Sequence, residues 1–307
     1  MIEMLKIEDI DSRRGIGRAP AHHGEILQGA FRVDNEIMRG LLSLPCLLFE
    51  SHVDVILTTK TTAISVTPNW KLKAQTAARL TLDALDLGDV GAQIIVCSNT
   101  PISRGFGSST GDVVAAIRAV VAAANAQMSD TTIAKLAVLS ETASDGLMFD
   151  GPMLFAQRAG IVLERFGDIF PSILVLGFST SDEEAGISTL DFPPALYSAA
   201  DIAKFEELRL SLREGFVSHD VKTIGMVATA SARINQRYLP VPGFDALDAA
   251  AADAGAIGLQ VAHTGDIASF LFDANDSRLE ACLGDARDRL ARIGIVRTWQ
   301  YVLSDDQ

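Results

Sequence analysis

The chain has 307 residues, enough for two domains that each bury a core. Apolar residues make up 48% of it and charged residues 21%, the composition of a globular protein and not of a disordered chain. A formal charge of −13 argues against nucleic acid or an anionic membrane as partner, but not against a nucleotide, whose charge is met locally by a cation and backbone donors.

Met1 to Arg14 mixes acids and bases without an apolar centre, so no signal peptide is read there. No run reaches the ~18 apolar residues of a membrane span. The three cysteines, Cys46, Cys97 and Cys282, lie far apart in apolar runs without metal-ligand spacing. They read as buried thiols of a reducing, cytoplasmic compartment.

The first informative run is Ile16 to Ala30, Ile-Gly-Arg-Ala-Pro-Ala-His-His-Gly-Glu-Ile-Leu-Gln-Gly-Ala. Its residue types suit either a β-turn carrying two surface histidines or a site using His22, His23 and Glu25. Leu41–Phe49, Val53–Leu57 and Thr62–Thr67 read as strands of an antiparallel sheet, the last stopping at Pro68-Asn69. Lys71 to Leu87 has a helical apolar pattern, with Gly88 as its expected C-cap.

Gln93 to Cys97 is an apolar strand, and a helix follows with Val113, Ile117, Val120 and Ala124 on one face. Between them runs Pro101-Ile-Ser-Arg-Gly-Phe-Gly-Ser-Ser-Thr-Gly-Asp112. A glycine-rich loop entering a helix N-terminus brings backbone N–H groups and the positive end of the helix dipole close to an anion. Ser108 and Ser109 add hydroxyls that could bond phosphate or ligate Mg²⁺. Asp112 stands where a Walker A loop has Lys, and Thr110 replaces the third glycine of a dinucleotide fingerprint. The loop therefore reads as a phosphate cradle of another kind, or as a structural strand-to-helix turn.

A further helix starts at Ser129 or Asp130 and runs into Ser140–Gly151, which holds Glu141, Asp145 and Asp150. These three carboxylates are either a solvated helix end or the metal ligand and proton acceptor that a phosphoryl transfer needs. Gly160–Phe166 and Ile173–Phe178 are strands, and the expected domain boundary falls between them, giving 1–168 and 169–307. Asp182–Gly186 reads as a surface turn and Pro193-Pro194 as a break before two helices. The second of these ends in Arg233, Asn235, Gln236 and Arg237. Basic side chains there suit the helix dipole, or a guanidinium could hold a substrate carboxylate. Phe244–Ala254 is a helix closed by Gly255. Ala256–His263 and Ile267–Phe272 form a hairpin around Thr264-Gly265-Asp266. A helix carrying Leu279, Leu283 and Leu290 and a strand from Ile295 to Val302 complete the chain.

Pro101 to Gly111 resembles the second signature of the GHMP kinases, a loop that wraps the ATP phosphates. Ala19-Pro20-Ala21 with Gly24-Glu25 and Gly29 resembles the first signature. Gly258–Gly265 stands in the place of the third, with less glycine than usual. The wording around Glu25, the Asn-Gln-Arg-x-Leu-Pro run and the Gln-Val-Ala-His-Thr-Gly run are similar to the L-threonine kinase branch of propanediol-utilisation and cobalamin-synthesis systems. The lysine that galactokinases and mevalonate kinases carry in the first signature is absent.

The resemblance implies an α+β, two-domain fold: a ribosomal-protein-like N-terminal domain and a ferredoxin-like C-terminal one. It implies an ATP- and Mg²⁺-dependent kinase for the hydroxyl of a small amino acid, most directly L-threonine. Homoserine, serine or a specialised alcohol remain as acceptors, as does a nucleotide-binding sensor without catalysis. Pro101, Arg104, Gly105, Phe106, Gly107, Ser108, Ser109 and Thr110 would hold the triphosphate, and Ser109 and Glu141 would hold Mg²⁺. Asp145 would serve as base, with Asp150 as the other candidate. Glu25, His23, Arg233, Arg237, His263, Thr264 and Gly265 would meet the substrate. A homodimer is compatible with this reading.

Overall fold

The computed structural model describes residues 10–181, 195–263 and 266–303. The surface turn at Asp182–Gly186, the Pro193-Pro194 break, Thr264 and Gly265 lie outside the described residues.

A long antiparallel hairpin forms the middle of the sheet. Its strands are β1 (Arg14–Val33) and β2 (Glu36–Thr58), joined through Asp34 at φ +53°, a conformation that Asp tolerates in turns. The run from Ile16 to Ala30 is thus strand and not turn. The two strands expected at Leu41–Phe49 and Val53–Leu57 are one. The remaining strands are β3 (Ile64–Thr67), β4 (Gly91–Val96), β5 (Met153–Ala156), β6 (Ile161–Arg165), β7 (Ile173–Ser179), β8 (Gly258–Val261), β9 (Ile267–Asp273) and β10 (Thr298–Leu303). They order as β10-β7-β9-β8-β1-β2-β4-β3, with β5 and β6 branching from β2. β3 pairs parallel with β4, where the sequence suggested an antiparallel sheet throughout. β5 went unread because Met-Leu-Phe-Ala is short and buried on both faces, so it shows no alternation.

Seven helices lie among the described residues: α1 (Leu72–Ala84), α2 (Ser108–Ala123), α3 (Asp130–Glu141), α4 (Ala199–Val217), α5 (Val221–Asn235), α6 (Phe244–Asp253) and α7 (Leu279–Arg292). None is long and apolar enough to cross a membrane. α1 ends at Ala84 with Leu85 as its cap, short of Gly88.

Helix α2 lies almost in backbone contact with β1. Arg14 to Ala19 alternates exposed large residues with buried small ones, and a Cβ at Gly17 would sit 2.0 Å from the Ala115 carbonyl oxygen. Only glycine allows that approach, which fixes where the N-terminus of α2 meets the sheet. One core packs α1, α2 and α3 on β1, β2 and β4, with Val55, Ile94, Val114 and Ile117 fully enclosed. A second joins Leu27 and Leu42 of the hairpin to Ile173, Phe205 and Leu212. A third lies between β7, β8 and β9 and helices α6 and α7. The cysteines depart from expectation. Cys46 is buried, but Cys97 is exposed and Cys282 is half-buried.

Candidate active site

The register of β1 against β2 slips at Pro20/Ala21, between His22 and Glu25, and between Glu25 and Leu27. Bulges of this kind break the in-out alternation of a strand and re-aim its side chains. Ala21 to Leu27 is accordingly buried at every position, and Gly24 takes φ +62° in its midst. The bulged strand therefore turns His22, His23 and Glu25 inward together, with 1%, 0% and 2% exposure. They are not the surface histidines of a turn.

The loop 101–107 comes to this strand through a hydrogen bond from the His22 N–H to the Phe106 carbonyl, at 3.1 Å. Gly107 follows at φ +70° and caps α2 without any side-chain bond. Ser108 to Thr110 open α2, where N–H groups have no intrahelical acceptor; the Gly111 N–H is the first to find one, the Gly107 carbonyl at 2.8 Å. A Cβ at Gly107 would lie 2.3 Å from His22 Cδ2 and 3.3 Å from Asp145 Oδ2, so glycine here is required by space as well as by φ.

Helix α3 delivers Glu141 at its last residue, and the loop after it delivers Asp145. Ser129 caps the start of α3 by accepting from the Thr132 N–H. Glu141 is not a solvated helix end. Its Oε2 accepts from Ser109 Oγ at 2.6 Å and its Oε1 from Thr110 Oγ1 at 2.7 Å. Burial raises its pKa, opposed by these two hydroxyls and helped by the Asp145 charge. Lys73 Nζ donates to Ser109 Oγ at 3.1 Å and stands 3.7 Å from Glu141 Oε2. Lys71 pairs with Asp112, which also accepts from Ser51 Oγ at 3.0 Å, and its Nζ lies 4.5 Å from the centre of the exposed Trp70 ring. These three residues were missed in the sequence. They start an ordinary amphipathic helix, and only the fold shows that α1 begins beside α2.

Asp145 is bound on two sides. His22 Nε2–H donates to its Oδ2 at 3.0 Å, and Thr110 Oγ1 lies 3.2 Å from the same oxygen. Burial works against the imidazolium of His22, but the charge and hydrogen bond of Asp145, with Glu25 behind, outweigh it and raise its pKa to about 9. For Asp145, burial would raise the pKa, yet His22 brings it down to about 2. The two form an ion pair.

Glu25 lies behind this pair. Its Oε2 accepts from the His263 N–H at 2.5 Å, and its Oε1 stands 3.7 Å from His22 Nδ1 and 3.9 Å from His263 Nδ1. Its pKa is raised by burial, which His263 and His22 oppose. The carboxylates of Glu25 and Asp145 and the His22 ring could together ligate a cation. His23 faces the other way, among Phe106, Trp299 and Tyr301, with Nδ1–H donating to Gln260 Oε1 at 3.3 Å. Burial lowers its pKa to about 4, so it is neutral and built into the core.

The structure thus gathers the loop, Glu141, Asp145, Glu25, His263 and, of the two candidate histidines, His22. It does not bring Arg233 of α5 or Arg237, in the turn after it, to them. Arg233 pairs with Asp248 at 2.7 Å and Arg237 with Asp201. Arg104 holds Asp266 at 3.0 Å and Ser179 at 2.7 Å, tying the loop to β7 and to the turn before β9.

The chain is similar to known kinases in sequence and in fold. Residues 72–155 match the model of the GHMP kinases N terminal domain. The chain is 27% identical to an L-threonine kinase of Salmonella typhimurium (strain LT2) over 213 residues, 67% of each chain. It is 28% identical to an L-threonine kinase of Citrobacter freundii over 184 residues, 60% of this chain but only 63% of that one. The crystal structure of homoserine kinase from Cytophaga hutchinsonii superposes with a TM-score of 0.68 at 17% identity, covering 99% of this chain and 97% of that one.

Proposed function

We propose that this chain is a GHMP-family kinase that transfers the γ-phosphoryl group of ATP to the hydroxyl of a small amino acid, with L-threonine as the first candidate, a reading supported by the match of its N-terminal part and by its L-threonine kinase relatives. The observation that carries this reading is the joint placement of Glu141 and Asp145. Both carboxylates meet the first turn of α2 through Thr110, at the end of a loop suited to phosphate.

In the proposed reaction the acceptor oxygen attacks the γ-phosphorus and forms the new O–P bond. The bond from that phosphorus to the β,γ-bridging oxygen breaks, ADP leaves, and the hydroxyl proton passes to Asp145. A carboxylate held near pKa 2 is a weak base, but phosphoryl transfer is largely dissociative and needs the proton removed late. The main contribution of Asp145 is then to orient the hydroxyl. Loop 101–107, the N-terminus of α2, Lys71 and Lys73 would hold the phosphates. Ser109 and Glu141 offer a hydroxyl and a carboxylate, hard oxygen donors that fit Mg²⁺. When bound there it would neutralise phosphate charge. The division at 168/169 is proposed as the line between an ATP-binding N-terminal domain and a C-terminal domain.

The test is ADP release from MgATP with L-threonine, L-serine, L-homoserine, mevalonate and galactose. Turnover with L-threonine above the rest supports the proposal. Preference for L-homoserine would move the acceptor toward that of the fold neighbour, and MgATP binding without turnover on any acceptor would overturn the kinase assignment.

A further inference from the structure

A cavity of about 330 Å³ lies against the site on the side of β2 and β5. Its walls are Pro20, Ala21 and His22 of β1, Leu41, Ser43, Pro45 and Leu47 of β2, and the stretch from Gly146 through Phe155. That volume is within the range of small-molecule sites. His22 belongs both to this wall and to the ion pair with Asp145, and Gly146 and Leu147 continue the wall from Asp145 itself. The cavity is therefore one side chain away from the proposed proton acceptor. Two of its polar atoms have no hydrogen-bond partner: His22 Nδ1, in a ring with 1% exposure, and Ser43 Oγ.

Asp150 and Asp168 stand in the lining, its one cationic side chain, His22, is held by Asp145, and among the described residues it contains no Lys or Arg. Gly151, at φ +77°, brings its backbone close to the Asp168 carbonyl, so the chain segments carrying Asp150 and Asp168 meet in this wall. Neither aspartate forms an ion pair among the described residues. The nearby Arg165 donates to the Asp150 carbonyl oxygen at 3.1 Å and lies over the Phe149 ring. Arg233 and Arg237, the arginines suited to a carboxylate, are paired elsewhere. A ligand carboxylate in this cavity would meet Asp150 and Asp168, and the one cation in the wall, His22, is already paired with Asp145.

We infer that this cavity takes the acceptor by its ammonium group, at Asp150 and Asp168, with its carbon skeleton against Leu41, Met153 and Phe155. The inference rests on the kinase reading above and narrows it. The ammonium is the recognised group, and a carboxylate is dispensable. The acceptor class is accordingly the small amino alcohol, of which L-threonine is a carboxylated member.

Two analogues separate the groups. 1-Aminopropan-2-ol keeps the ammonium and hydroxyl of L-threonine and lacks the carboxylate; 3-hydroxybutanoate keeps the carboxylate and lacks the ammonium. Binding of each is measured by titration calorimetry on the full chain, as wild type and as the Asp150→Asn/Asp168→Asn double variant. Both side chains are exposed, so the isosteric changes leave the fold intact, which circular dichroism checks. The expected result is binding of the amine at least as tight as that of L-threonine, no binding of 3-hydroxybutanoate, and about a tenfold or greater loss for the amine in the double variant. Binding of 3-hydroxybutanoate, failure of the amine to bind, or equal amine affinity in the double variant would each overturn the inference. Calorimetry needs no turnover. Amine binding without ADP release on any acceptor would leave the cavity assignment standing and remove the kinase reading.

Discussion

Replacing His22 with Gln tests the ion pair at the centre of the site. The amide keeps most of the shape and can still donate one hydrogen bond, but it carries no charge. The pair's strength can be worked from either partner. Asp145 falls from 3.8 to about 2, which corresponds to about 2 kcal/mol. His22 rises from 6.5 to about 9, which corresponds to about 3 kcal/mol. The second figure is larger because His22 also faces Glu25, so the Asp145 figure is the better measure of this pair. The signs differ at the two ends of the pH scale. The His22 contribution is complete below 6.5 and is lost as pH rises through about 9; the Asp145 contribution is complete above 3.8 and is lost as pH falls through about 2. Denaturant unfolding near neutral pH should show His22→Gln less stable by about 2 to 3 kcal/mol, with the gap closing above about pH 9. The acid limb of kcat should also rise into the range where a buried carboxylate without its cation titrates. An equal stability gap on both sides of pH 9, or an acid limb that does not move, would refute the pairing as the source of the Asp145 shift.

Three further outcomes follow from the same geometry. Glu141→Gln should lower kcat by about a hundredfold or more and raise the Mg²⁺ concentration needed, while the amide preserves the fold; wild-type Mg²⁺ dependence would remove Glu141 from the metal. Gly107→Ala should displace His22 through the 2.3 Å clash and reduce activity and melting temperature together; a fully active variant would contradict the placement of the loop. Asp112→Asn should destabilise the chain by a few kcal/mol, since it strips a buried partner from Lys71, and unfolding midpoints that match wild type would show the pair to be worth little.

The parts of this site that a reader can find in the sequence are those encoded locally. A strand, glycines, hydroxyls and a helix in immediate succession mark loop 101–110, and Glu141 and Asp145 follow at the end of the next helix. Where geometry depends on register, the pattern is silent. His22 and His23 are neighbours with the same chemistry, yet one is an imidazolium on Asp145 and the other a neutral ring packed on Phe106 and Trp299. That difference comes from strand slips opposite Pro45, Cys46 and Ser43, which no local pattern records. Arg233 and Arg237 show the opposite failure. Their cluster looked suited to a carboxylate, but they pair with Asp248 and Asp201 from other segments.

On the proposed reading, a chain of net charge −13 must bring some of its 26 lysines and arginines to the nucleotide. Here Lys71 and Lys73 enter one turn of α1, and that turn abuts the first turn of α2, where the helix dipole is positive. Neither lysine faces the acceptor cavity, whose charged side chains are His22 and two aspartates. The two lysines and the helix N–H groups stand on the proposed phosphate side beside Asp112 and Glu141, Asp150 and Asp168 stand in the cavity, and His22 with Asp145 lies between them. On the proposed reading a phosphate that entered the cavity would meet Asp150 and Asp168, and a cationic acceptor would turn toward them.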